Sequence, residues 1–203
     1  NYVKEVIAPI INSQNFKSVT VLDPHSDVVE ACINRFKKVS NFDLVKFAIG
    51  EIYGSSYSDN FSKFALVSPD GGSLKKVYDV ADGLNYKNTI IIASKHRDLE
   101  SGKIVSTNVS ILDEHKGLDM IILDDICDGG RTFIELAKAL REQGATGRIY
   151  LVVTHGIFSA GVKALNPYFD GIFSTSSIAD VNDPQFSMAN DNELHKLKQL
   201  NVF

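Results

Sequence analysis

One stretch constrains this chain more than any other: Met120-Ile121-Ile122-Leu123-Asp124-Asp125-Ile126-Cys127-Asp128-Gly129-Gly130-Arg131-Thr132-Phe133, continuing into Ile134 to Leu140. Four consecutive apolar residues suit a strand buried on both faces. Phe133, Leu136, Ala137 and Leu140 then recur at the spacing of one helix face. Between them lie two carboxylates, a glycine pair and a threonine that can cap or enter the helix. Glycines let several backbone N–H groups point into one concavity, and the helix N-terminus adds partial positive charge, so the turn is suited to cradling a phosphate. Asp124 and Asp125 do not belong beside a phosphate unless they face something else, such as ribose hydroxyls or a hydrated magnesium ion. The plainer reading is a loop whose acids cap the next helix.

The same unit, a strand followed by an acidic turn and a helix, recurs along the chain. Ser18 to Leu22 is a β-branched run that ends in Asp23-Pro24-His25-Ser26-Asp27 and leads into a helix from Val28 to Phe36. His25 reads either as a turn histidine or as a metal or phosphate contact. Ahead of that run, Val3, Ile7, Ile10 and Ile11 keep helical spacing, but Pro9 makes that helix short, kinked or late. Phe42 to Ser58 reads as a short strand and a loop. Phe64 to Val67 is a strand ending in Ser68-Pro69-Asp70-Gly71-Gly72-Ser73, ahead of a helix with Val77, Val80 and Ala81 on its apolar face.

Thr89 to Ala93 is a further strand, followed by Ser94-Lys95-His96-Arg97-Asp98 and a polar stretch through Asn108. Lys95 and Arg97 are either solvated loop cations or a clamp for transferring phosphoryl groups. Ile149 to Val153 ends in Thr154-His155-Gly156-Ile157-Phe158-Ser159; Ala160 to Leu165 reads as a short helix, Gly171 to Ser174 as a strand, and Lys196 to Phe203 as a mixed run. Strands alternating with helices predict an α/β fold, doubly wound on a mostly parallel sheet. In such sheets the strand C-terminal ends share one edge where ligands collect, so His25, Asp70 and the Asp124 loop are expected to meet there.

A net charge of −4 with no basic stripe argues against a nucleic-acid partner. Cys32 and Cys127 lie far apart with no Cys-x-x-Cys pair, which indicates neither a zinc site nor a disulfide framework and makes a cytoplasmic setting the default. No apolar run approaches the length of a membrane span, and no signal peptide is visible. The chain opens on Asn1 rather than Met, so it is either processed or part of a longer protein.

Five segments together resemble the ribose-phosphate pyrophosphokinase (phosphoribosyl pyrophosphate synthetase) family, of type I phosphoribosyltransferase-like fold. They are Val21 to Ser26, Val67 to Gly72, Lys95-His96-Arg97, Leu123 to Thr132 and Val153 to Ser159, in the family's order. The resemblance implies Mg2+-dependent transfer of the β,γ-diphosphate of ATP to the 1-hydroxyl of ribose 5-phosphate. It implies that His25 and Asp70 contact the Mg2+ and that Lys95 and Arg97 lie on a flexible catalytic loop. It implies further that Asp124 and Asp125 hold ribose hydroxyls, and that Asp128, Gly129, Gly130, Arg131 and Thr132 hold the 5-phosphate. Residues 1–40 would be the remnant of a first domain of this fold and 41–203 the second domain. A homo-oligomer is implied too.

The departures are local. Gly129 stands where the family usually has threonine, Arg131 where it has glycine, His96 where it has a cation, and Pro24 in the middle of the usual Asp-Leu-His. Arg131 is either an exposed arginine of the first helical turn or a contact for a second phosphate, as in an ADP-ribose-like acceptor. A phosphoribosyltransferase and a non-catalytic subunit are the competing readings.

Overall fold

The computed structural model describes residues 2–97, 104–178 and 196–202, and for 95–97 and 104–106 the backbone alone. The chain divides into two compact units, Asn1–Asp43 and Leu44–Phe203.

In the first unit the opening helix takes the form that Pro9 demands. Val3–Ile7 winds as a wide π turn, with the Ala8 N–H bonded to the Val3 carbonyl, and α1 (Ala8–Ser13) follows with the proline in its first turn, where no N–H is needed. Strand β1 (Val19–Leu22) leads to α2 (Val28–Cys32), which stops well short of the predicted Phe36. Asn12 ends it: its Nδ2 donates to the Cys32 carbonyl at 2.9 Å, and its Oδ1 accepts the Asn34 N–H at 2.8 Å. Arg35 then adopts a left-handed φ of 55°, and β2 (Phe36–Val39) pairs in parallel with β1.

The second unit begins within α3 (Phe42–Tyr53), where the sequence predicts a short strand and a loop. Leu44, Val45, Ala48 and Ile49 are all buried, so a helical face outcompetes the alternation of Phe42 and Leu44. The Ser40 hydroxyl accepts the Phe42 N–H at the helix entry. The sheet consists of β3 (Phe64–Ser68), β4 (Ile90–Arg97), β5 (Ile104–Val109), β6 (Asp119–Cys127), β7 (Ile149–Gly156), β8 (Gly171–Thr175) and β9 (Leu197–Leu200). Their order across the sheet is β5-β4-β3-β6-β7-β8-β9. Among the described residues only the β4–β5 pair is antiparallel. Helices α4 (Leu74–Gly83) and α5 (Arg131–Glu142) complete the doubly wound arrangement that the alternation predicts.

Met120 and Ile122 share one core cluster with Phe133, Leu136, Ala137 and Leu140 of α5. Ile121 and Leu123 are equally buried but lie outside that cluster, so strand alternation turns them to the opposite face of the sheet.

Two further expectations need correction. Ser94 to Arg97 is not loop: β4 carries on through it, because β5 supplies an antiparallel ladder with a bulge between His96 and Arg97. Ala160 to Leu165 is not a helix; only Val162–Ala164 winds, as a single 3₁₀ turn. Phe158 and Gly161 ahead of it have positive φ, and Pro167 follows, so nothing longer can propagate.

Candidate ribose-phosphate site

At the C-terminal end of β6 the chain opens a cavity of about 300 Å³, lined by Asp124, Ile126, Asp128, Gly129, Gly130, Arg131, Thr132 and Phe133. Alternation along β6 places Asp124 and Ile126 on its α5 side. Gly130 is the residue that turns strand into helix, at φ +77°, and its carbonyl already accepts the N–H groups of Phe133 and Ile134. Among the described residues no side chain caps α5, so the first-turn amides of Arg131 and Thr132 and the positive helix end are left for a ligand.

The cradle is shaped from below by the segment after β7. The Cys127 carbonyl accepts the N–H groups of both Ile157 and Phe158, at 2.9 and 3.1 Å. A Cβ on Gly130 would lie 2.7 Å from Leu165 Cδ2, and one on Gly156 would lie 2.2 Å from the Phe158 ring. Both positions therefore need glycine, Gly130 for its backbone conformation as well. Gly129 differs: a Cβ there would meet only Ser159 Oγ, at 3.8 Å, so that spot is open.

The two adjacent carboxylates of β6 part company. Asp124 faces the cavity and its Oδ1 accepts the Asp125 N–H at 2.9 Å. Asp125 does not line the cavity; it is 5% exposed, and its Oδ2 accepts from Lys76 Nζ of α4 at 2.6 Å. Sequence reading passes over Lys76. Strand parity alone signals that adjacent carboxylates cannot face the same ligand in the same way.

Asp70 is half-buried at the β3–α4 turn. Its Oδ1 accepts the N–H groups of Gly72 and Ser73, at 2.9 and 3.1 Å, and the Ser68 hydroxyl donates to its carbonyl at 2.7 Å. One oxygen thus closes the loop. His25 is exposed after β1, in the other compact unit. Lys95 and Arg97 sit on β4 with their backbones opposite Thr107 and Ile104. Their side chains lie outside the described residues, as do residues 98–103. Among the described residues no group of three potential metal ligands occurs. No helix among them is long and apolar enough to cross a membrane.

Cys127 is fully buried, and burial, followed by the charges of Asp124 and Asp128, pushes its thiol up to about 12. At neutral pH it is a thiol. An alkylating reagent is expected to modify the half-buried Cys32 first and to leave Cys127 untouched until the chain unfolds, which mass spectrometry reads directly.

The phosphoribosyl transferase domain description matches residues 37–186 of this chain. The ribose-phosphate pyrophosphokinase of Ureaplasma parvum is 31% identical over 160 residues, which is 78% of this chain and 45% of that protein. That of Thermosipho africanus is 32% identical over 123 residues, 60% of this chain and 37% of that protein. The chain thus spans about half the length, or less, of these curated relatives. The crystal structure of phosphoribosylpyrophosphate synthetase from Mycobacterium smegmatis shares the fold: TM-score 0.72 at 22% identity, covering 97% of this chain and 58% of that one. On the match over residues 37–186, this chain belongs to the phosphoribosyl transferase domain family, and the curated relatives it matches are ribose-phosphate pyrophosphokinases.

Proposed function

We propose that this chain supplies the ribose-phosphate side of a diphosphokinase that transfers the β,γ-diphosphate of ATP to the 1-hydroxyl of ribose 5-phosphate, yielding phosphoribosyl pyrophosphate and AMP. The observation that carries the reading is the uncapped start of α5, which opens into a cavity flanked by Asp124 and Asp128. The 5-phosphate is held by the Arg131 and Thr132 amides and the Thr132 hydroxyl. Asp124 accepts from a ribose hydroxyl, and Asp125 stands behind it. Lys95 and Arg97 neutralise charge on the transferring group, in a reaction that rests on positioning and cations more than on a nucleophile.

Asp70, a carboxylate at the β3–α4 turn, fits a cation that keeps its waters and rides on substrate phosphates, which is the habit of Mg2+. When bound, the ion supplies charge neutralisation on the diphosphate. Residues 1–40 belong to a preceding domain of the same fold in this reading. The native protein works as a homo-oligomer in the cytoplasm.

A second acceptor class is favoured by one residue. Arg131 lines the cavity, is exposed, and its guanidinium has no hydrogen bond or ion pair among the described residues. Next to it, Gly129 leaves room where a side chain would fit. A planar guanidinium with five donors suits a second phosphate on the 5-position, as in ADP-ribose. Arg131→Ala is expected to weaken ADP-ribose binding about tenfold and to leave ribose 5-phosphate binding within about twofold, read by calorimetry. Equal losses for both would assign Arg131 to the first phosphate.

Phosphorus NMR of the longest native form with ATP, Mg2+ and either acceptor tests the reaction itself. AMP together with a new sugar-linked diphosphate is the expected result. Binding of ribose 5-phosphate without AMP would favour a phosphoribosyltransferase or a non-catalytic subunit.

A further inference from the structure

Lys76 and Asp125 form an ion pair at 2.6 Å whose side chains are only 18% and 6% exposed. Taking two charges out of water consumes most of what their attraction returns, so stability alone is a poor account of such a pair. Its position is more telling. Lys76 lies in the first turn of α4, the helix that the Asp70 loop feeds, and that loop is closed on itself by the bonds from Gly72, Ser73 and Ser68. Asp125 lies next to Asp124 in β6, and its N–H donates to Asp124 Oδ1 at 2.9 Å. An unbroken run of contacts therefore leads from the Lys76 ammonium to the Asp125 carboxylate on one face of the sheet, and through the Asp125 backbone to the Asp124 carboxylate at the cavity on the other.

We infer that Lys76 is a positioning residue for the ribose-phosphate site: by anchoring Asp125 it fixes the Asp125 N–H that orients the Asp124 carboxylate toward a ribose hydroxyl. The inference rests on the functional reading above. Lys76 touches no ligand; it sets the angle of a group that does. It also ties the Asp70 loop to the ribose loop, so the two sides of the proposed reaction share one support.

The test is a set of calorimetric titrations of this chain with ribose 5-phosphate. Lys76→Met is expected to weaken binding about tenfold or more, since small displacements of an oriented group are costly. Lys76→Arg, which keeps a cation within reach of Asp125, is expected to recover most of that loss. In an Asp124→Asn background, Lys76→Met is expected to add little, because its effect runs through Asp124. A purely structural lysine would show the same factor in both backgrounds. Should Lys76→Met leave Asp125 without a counter-charge and prevent folding, the neutral Lys76→Met/Asp125→Asn pair carries the same expectation. A folded Lys76→Met chain that binds like wild type, or loses the same factor with and without Asp124, overturns the role. Wild-type chain that does not bind ribose 5-phosphate overturns the functional reading itself, and this role with it; the two failures are distinct.

Discussion

Gly130→Ala is expected to abolish measurable ribose-phosphate binding and to destabilise the fold by about 2–4 kcal/mol. Two separate costs combine. Gly130 sits at φ +77°, where a residue with a Cβ is strained. The added methyl would also lie 2.7 Å from Leu165 Cδ2 and 3.3 Å from its Cγ, so that side chain must move or the turn must open. An opened turn withdraws the Arg131 and Thr132 amides from the cavity, and losing two hydrogen bonds to a charged phosphate costs roughly a hundredfold or more in affinity on its own. Thermal unfolding and phosphate-ester titration check the two halves independently. Gly129→Ala is the control: with nothing nearer than 3.8 Å around its Cβ, it is expected to fold normally.

Asp119→Ala, at the far end of the same strand, is expected to cost about 2–3 kcal/mol without touching the cavity. Asp119 is 8% exposed and accepts from four donors at once. The Tyr53 hydroxyl donates to Oδ2 at 2.6 Å, Arg148 Nη2 and Nε donate to the same oxygen at 2.7 and 3.2 Å, and the Arg148 backbone N–H donates to Oδ1 at 2.8 Å. The guanidinium lies over the rings of Tyr53 and Tyr150, at 5.8 and 5.4 Å from their centroids. Removal of the carboxylate strands the Tyr53 hydroxyl and three Arg148 donors; because Arg148 is half-exposed, water compensates part of the loss.

The same cluster sets a pH dependence. Burial alone would raise the Asp119 carboxyl, but hydrogen bonds from Arg148 and Tyr53 outweigh it and hold the group below its ordinary value. A group depressed in the folded state adds stability that is fully present above its unfolded value, about 3.9, and is lost as pH falls through the lower folded value. The difference in unfolding free energy between wild type and Asp119→Asn is therefore expected to be constant near neutrality and to narrow only in acid. A denaturant series from pH 7 to pH 3 measures it.

Much of the site is legible in the sequence because its parts are local. The run Met120 to Leu123, the glycine pair and the Phe133 to Leu140 spacing lie within one strand–turn–helix unit, and each obeys a short-range rule. What escapes depends on residues far away in the chain. The β4–β5 arm looks like loop because its residues are polar, and it becomes strand only because each finds an antiparallel partner. Helix α2 ends where it does on account of Asn12, twenty residues upstream. The Lys76–Asp125 pair joins positions 49 apart, and no local pattern announces it. The parity of β6 is legible, though: in a regular strand Asp124 and Asp125 face opposite sides of the sheet, and that is where they are found.

The packing under the phosphate loop also bears on how this site comes into being during folding. Every described residue that lines the cavity lies between Asp124 and Phe133, yet the supports at Cys127 and Gly130 come from Ile157, Phe158 and Leu165. A fragment ending at Arg148 would hold the whole recognisable motif and lack its foundation. Those supports follow β7, which pairs with β6, so the cradle is a non-local product of folding rather than a preformed local turn. Ribose-phosphate affinity should then appear only after β7 is protected from hydrogen exchange, and a chain still emerging from the ribosome gains it only once the residues through Leu165 are free to fold.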